Sequence, residues 1–357
     1  MKAKLFFIAL WILASGAAYA QYFVANKTYH GSYSAAANSQ ITIDNKYGNV
    51  TIIPSQNDSV VFDVIVEVTD KDIIEAEDQL AQINLRMGSS GYYIYAATEF
   101  NGSRNDFKTD WKMIAGAVFN SKKMVRIDYV VAVPVGVSLK INNTYGNIIM
   151  QDHSGILNID LTGGNFTAGI LSGKTTLTFN GGKSQILALT DATIKADMNE
   201  MQIESVSSAW FDSRGSQFTI QKAGTITVDS RRDKWFIGNA TQISGSGSFS
   251  NFTINQLLKD CNMKTFYGNL TLSAVDSGFH SINLIAGSSD VSIALPPGIV
   301  SQFNCDQKKT RAILPARLNL KTETIDEKTQ QYRTGNVVEN ATSFVNLNVS
   351  GGSVNVY

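Results

Sequence analysis

The sequence predicts an all-β protein of solenoid type, with one α-helix inserted near the N-terminal end. Three observations carry that expectation. Apolar residues alternate with polar ones over most of the chain, which is the period of a half-buried strand. A turn beginning with Asn or Asp recurs from residue 143 onward. Only one segment shows helical spacing instead. At 357 residues the chain exceeds the usual size of one domain, but a solenoid grows by adding units and is not bound by that limit.

The first twenty residues read as an export signal. Lys2 and Lys4 precede the apolar run Leu5 to Leu13, small residues follow, and Ala18-Tyr19-Ala20 forms an A-x-A site before Gln21. The run is shorter than the roughly 20 residues a bilayer crossing needs. Cleavage is therefore expected after Ala20, with no Cys there to take a lipid, leaving an exported chain without a transmembrane segment. Residues 21–136 then form an N-terminal β region. Ile41, Ile43, Val50, Ile52 and the series Val60 to Val68 alternate as strands. From about 70 to 85, apolar residues recur at helical spacing and Asp70 or Asp72 can cap the start. Tyr92 to Thr98 returns to strand, 100–122 is a polar and aromatic loop, and Lys123 to Val133 is strand again.

From residue 137 to 357 the repeat takes over, continuous with the region before it. Its turns begin at Asn143, Asp160, Asn180, Asp197, Asp212 and Asp229, with steps of 17, 20, 17, 15 and 17 residues. A unit this short encloses no core alone, so stacking must close one. The Asn143-Thr144-Tyr145-Gly146 turn has a counterpart at Asn45-Lys46-Tyr47-Gly48-Asn49 and another at Phe266-Tyr267-Gly268-Asn269.

The repeated Asn-x-Tyr-Gly-Asn turn, with Val130 to Pro134 running on to Leu139 and Ile141, resembles the exported putative-adhesin family of β-solenoid proteins common in Bacteroidetes. That resemblance covers nearly all of the mature chain. It implies a right-handed β-helix architecture and a surface or envelope protein, and it supplies no catalytic residues.

Composition narrows the function further. Lys and Arg number 30 against 30 Asp and Glu, and removing Lys2 and Lys4 leaves 28 against 30. Such a balance gives no electrostatic footprint for nucleic acid. Three His and two Cys speak against a His/Cys metal centre, and no cofactor motif occurs. Cys261 and Cys305 are a possible disulfide in an exported protein, or two buried thiols. The six turn-leading Asx residues are expected to stack as a structural ladder, since Asn and Asp bond their own backbone and tolerate left-handed geometry. Arg214, Arg231, Arg232 and Lys234, with Trp210 and Trp235, form the candidate binding patch for a glycan or envelope component. The competing class is a calcium-dependent polysaccharide lyase that uses Asp197, Asp212 and Asp229 with Arg214 or Arg231. A periplasmic structural protein without a ligand is the third class.

Overall fold

A computed structural model describes residues 22–100, 124–134, 136–297, 302–326, 328–334 and 342–357. The export segment and the 100–122 loop lie almost wholly outside them. The described chain is all-β, a long sheet of 23 strands that does not close into a barrel, with one α-helix among the described residues.

The unit of the sheet is a rung: a strand, a tight turn and a second strand. Five long strands run through the middle, β12 (Lys183–Asp197), β13 (Glu200–Arg214), β14 (Gln217–Arg231), β15 (Lys234–Ser248) and β16 (Asn251–Phe266). Each pairs in parallel with the next, and Lys183, Glu200, Gln217, Lys234 and Asn251 fall in register 17 residues apart. Side chains alternate across a strand, so a fixed repeat returns the same residue type to the same face at every rung. Ile186, Ile203, Ile220, Ile237 and Ile254 stack in one buried column. Beside them Phe218 and Trp235 stack at 3.9 Å, with Phe252 next at 5.9 Å. Each such side chain contributes about 1.5–3 kcal/mol on burial, and the core runs the length of the ladder.

The recurring turn has a specific cause. Tyr47 and Tyr145 sit at φ 64° and 61°, so the left-handed position is the residue after the Asx-x pair and not the Asx itself. Gly48 and Gly146 follow because a Cβ there would lie 1.9 Å from the Ile127 carbonyl and 1.8 Å from that of Gly48. The Asn45 and Asn143 side-chain amides both donate to the Gly48 carbonyl, at 3.3 and 3.1 Å. Asn49 then accepts from the Asn147 amide at 3.0 Å, and Asn147 from that of Asn165 at 2.9 Å. Every member of the Asn-x-Tyr-Gly-Asn pattern thus has a structural task.

Rungs do not follow chain order at the ends. The first, β2 (Gln40–Lys46) with β3 (Val50–Pro54), lies directly against β8 (Ser138–Thr144) and β9 (Ile148–Met150). The intervening β6 (Tyr93–Phe100) and β7 (Met124–Val133) pair on its outer side. Beyond β7 come β4 (Ser59–Asp70) and β1 (Phe23–Ser34), both antiparallel. Helix α1 (Ile73–Ala81) packs on β1 and β4 with Ala76 fully buried, and Asp72 caps it by accepting from the Ile74 amide at 2.9 Å. It is shorter than the 70–85 span the periodicity suggests, because Ile83 already begins β5 (Ile83–Ser90), antiparallel to β6. At the other end β23 (Phe344–Val356) inserts between β18 (Ser281–Ile293) and the earlier pair β19 (Gln302–Lys308) and β20 (Arg311–Ile313).

Candidate functional site

The patch expected around Arg214 forms at the tight turns of the middle rungs, with changed membership. On the strand before the turn, Thr193, Trp210, Thr227 and Ser244 are register neighbours. Trp210 is 38% exposed among these hydroxyls. The same column continues through Asn262, Asn283, Asn346 and Asn304. Asn346 donates to Asn283 at 2.9 Å, and Asn304 donates to Asn346 at 2.8 Å. Trp235 belongs to the opposite side of its strand. It is 2% exposed, and its indole N–H donates to Ser230 Oγ at 2.9 Å, so it is core and leaves the binding patch.

Arg214, Arg231, Ser248 and Phe266 make the outward column nearest the turn. At the turn itself Arg232, Phe249 and Tyr267 follow one another, all left-handed at φ 59°, 57° and 56°. Their amides donate to Ser248, Phe266 and Gly287 carbonyls of the next rung at 2.9, 2.8 and 3.0 Å. Holding a bulky residue at positive φ costs energy, and such positions favour Gly. Here the backbone turns two aromatic rings outward: Phe249 is 57% and Tyr267 62% exposed, stacked at 5.1 Å. The Phe266 ring lies over Gly287, where an added Cβ would come within 2.7 Å of it.

Charge at this edge is unevenly neutralised. Arg214 Nε lies 3.3 Å from Asp197 Oδ1. Arg231 and Arg232 have no acidic partner at ion-pair distance among the described residues, although adjacent rungs bring Arg214 and Arg231 within about 5 Å along the backbone. Asp233, an apparent salt-bridge candidate, is buried and used otherwise. It accepts from Ser213 and Ser230 hydroxyls at 2.7 Å each and from the Ser216 and Arg231 amides at 2.7 and 3.0 Å. Asp233 therefore fixes the turn that displays both arginines. Lys234 is exposed on the strand after the turn, away from the Trp210 column.

The Asx ladder does not form as one column. Register places Asp160, Asp212 and Asp229 in one outward column, Asn180 and Asp197 in a second, and buried Asn143 in a third. Register needs 18 residues between rungs up to Asn180 and 17 beyond it, so the first 17-residue step, the 20-residue step and the 15-residue step each miss it. Asp212 and Asp229 remain neighbours. Among the described residues, no three His, Cys, Asp or Glu side chains gather as metal ligands. Cys261 aligns with Ile282 and Val345, whereas Cys305 aligns with Leu347. Three rung steps, about 14 Å, separate them, beyond the roughly 7 Å a disulfide allows. Both are buried free thiols whose pKa burial pushes up to about 12.

The sequence reading missed Phe249, Phe266 and Tyr267 as part of this site. The Phe266-Tyr267-Gly268-Asn269 turn is the available signal, because its Tyr takes the left-handed position at which Tyr145 is also exposed.

No protein-family profile and no curated protein matches the chain. Solved structures similar to it include a putative lipid binding protein from Parabacteroides distasonis, 13% identical with a TM-score of 0.36 over 74% of this chain and 96% of that one. A putative adhesin from Bacteroides fragilis is 12% identical, with a TM-score of 0.29 over the same shares. A putative cell adhesion protein from Clostridium sporogenes is 9% identical, with a TM-score of 0.23 over 93% and 99%. At these scores the account of the fold rests on the chain's own strand pairing.

Proposed function

We propose that this is an exported, non-catalytic binding protein of the cell envelope or surface, and that the Arg231–Arg232 turn with Phe249, Tyr267 and Trp210 holds an acidic glycan. The observation that carries the reading is the pairing of two unneutralised guanidinium groups with aromatic rings held outward at left-handed positions. Arginine binds carboxylates bidentately, and exposed aromatic faces stack on the C–H faces of sugars. The hydroxyl and amide column from Thr193 to Asn304 adds donors and acceptors at each rung. In this reading the rungs wind as a right-handed solenoid, the hand that parallel strand connections adopt.

The test is binding of the mature protein to uronic-acid polymers and to their uncharged counterparts at low and high salt. Wild type is expected to prefer the acidic polymers, more weakly at high salt. Arg231→Ala with Arg232→Ala should weaken binding about tenfold or more, equivalent to roughly one charged hydrogen bond. Phe249→Ala with Tyr267→Ala should weaken it without changing the salt dependence. No binding to any acidic polymer, or indifference to both pairs, would overturn the proposal. Cleavage of a polymer that Asp212→Ala abolishes would replace it with the lyase reading. Protease shaving of intact cells tests the compartment, since a surface protein is cut without opening the outer membrane.

A further inference from the structure

The strands after the tight turn carry a second outward surface of different chemistry. Thr167, Gln185, Gln202 and Thr219 are successive register partners, and Phe236, exposed, continues the column. Thr167, Gln185, Gln202 and Thr219 line a trench of about 530 Å³ that also takes in Leu187, Glu204, Gln221 and Lys222, and Phe236 stands on the next rung, at the end of that column. Thr167, Ala168 and Leu187 are shared with an adjoining trench of about 730 Å³ bounded by Gln151, Asp152, His153 and Ser172. The two form one continuous path across the rungs.

Its lining points to a ligand class. Gln185, Gln202 and Gln221 make no intramolecular side-chain hydrogen bond among the described residues, so three amides offer both donors and acceptors to whatever lies there. Glu204 and Lys222 are of opposite sign, and Asp152 is already engaged by the Ile170 amide at 2.7 Å. Asp152 and Glu204 against Lys222 leave one net negative charge along the path, too little to hold a cation and of the wrong sign for a nucleic acid. An extended peptide would need a free strand edge, whereas these strands are paired in parallel on both sides. An acyl chain would leave the glutamine amides without partners, which costs binding energy. An uncharged chain bearing hydroxyl groups satisfies every requirement.

We infer that this trench is a second binding site, for an uncharged linear oligosaccharide lying across the rungs and stacking on Phe236. It is independent of the arginine edge, because it needs no charge and lies on the other strand of each rung.

The probes are cellohexaose, maltohexaose and xylohexaose, titrated calorimetrically into the mature protein at low and high salt. At least one is expected to bind with an affinity that salt leaves unchanged. Gln185→Ala with Gln202→Ala, and separately Phe236→Ala, should each weaken that binding about tenfold. Gln202→Glu, which keeps the side-chain volume, should weaken it as well, and equal melting temperatures would show that the fold is intact. Arg231→Ala with Arg232→Ala should leave it unchanged, which separates this site from the acidic-glycan reading. Absence of binding by all three at millimolar concentration, or binding that the trench variants do not alter, would overturn the inference. Loss with the arginine pair would move the ligand to the turn edge.

Discussion

The two ends of the ladder solve the same problem with unequal means. At each, an out-of-order rung lies outermost and antiparallel strands cover its edge, as an exposed sheet edge requires. The N-terminal cover is thick. Val60, Phe62, Val64, Val66 and Val68 of β4 are buried together with Ile127, Tyr129 and Val131 of β7, and β1 and α1 close over them. Tyr129 also bonds Thr98 Oγ1 at 2.8 Å, and burial raises its phenol well above the ordinary value. The C-terminal cover is thin. Strand β22 (Thr329–Thr334) pairs with β19, but β21 (Leu320–Asp326) beyond it is exposed nearly throughout. There Gln307, Gln330 and Tyr332 make a small polar network, with an Arg333–Asp306 ion pair outside it. An edge can thus be closed by a packed layer or by polar strands that discourage further pairing, and only the first adds much stability.

The largest expected effect tests that contrast directly. Phe62→Ala should cost about 3–5 kcal/mol in urea denaturation, the usual loss for a buried Phe, whereas Tyr332→Ala should cost no more than about 1 kcal/mol. Amides of β21 and β22 should also exchange with solvent well before those of β4 and β7. Equal costs and equal protection would mean that the C-terminal strands are a true structural layer.

A second comparison sharpens why the N-terminal rungs are built as they are. Gly146→Ala should lose about 2–3 kcal/mol, because its Cβ meets the Gly48 carbonyl. Gly181→Ala, at φ 77° with nothing within 4 Å, should lose only the left-handed penalty of about 1–2 kcal/mol. Parity between the two would show that the rungs can spread at the turn.

The smallest effect is a pH dependence. His153 sits buried where the early rungs bend, and burial lowers its pKa from 6.5, opposed by the Val137 and Ile156 carbonyls. A depressed folded value means that the unfolded chain binds the proton more readily, so stability is full above pH 6.5 and falls as the pH drops below it. Wild type should lose melting temperature between pH 6.5 and 5, and His153→Gln should lose less. A flat wild-type profile across that window would contradict the assignment.

Much of this was readable in the chain itself. Alternation in Val60 to Val68 fixed a half-buried strand, helical spacing after Asp72 marked α1, and the Asn-x-Tyr-Gly-Asn turns announced the repeat. These are local matters, decided by the direction of each side chain and by which residues tolerate a tight turn. The tertiary structure alone decided register and rung order. A one-residue change of register moves a side chain to the other face or the next column, which is why Trp235 is core while Trp210 is exposed. It is also why six Asx residues occupy three columns. Insertion of β23 inside β19 depends on pairing between segments far apart in the chain. That pairing keeps Cys261 and Cys305 three rungs apart, and the stacked turns bring Arg232, Phe249 and Tyr267 together.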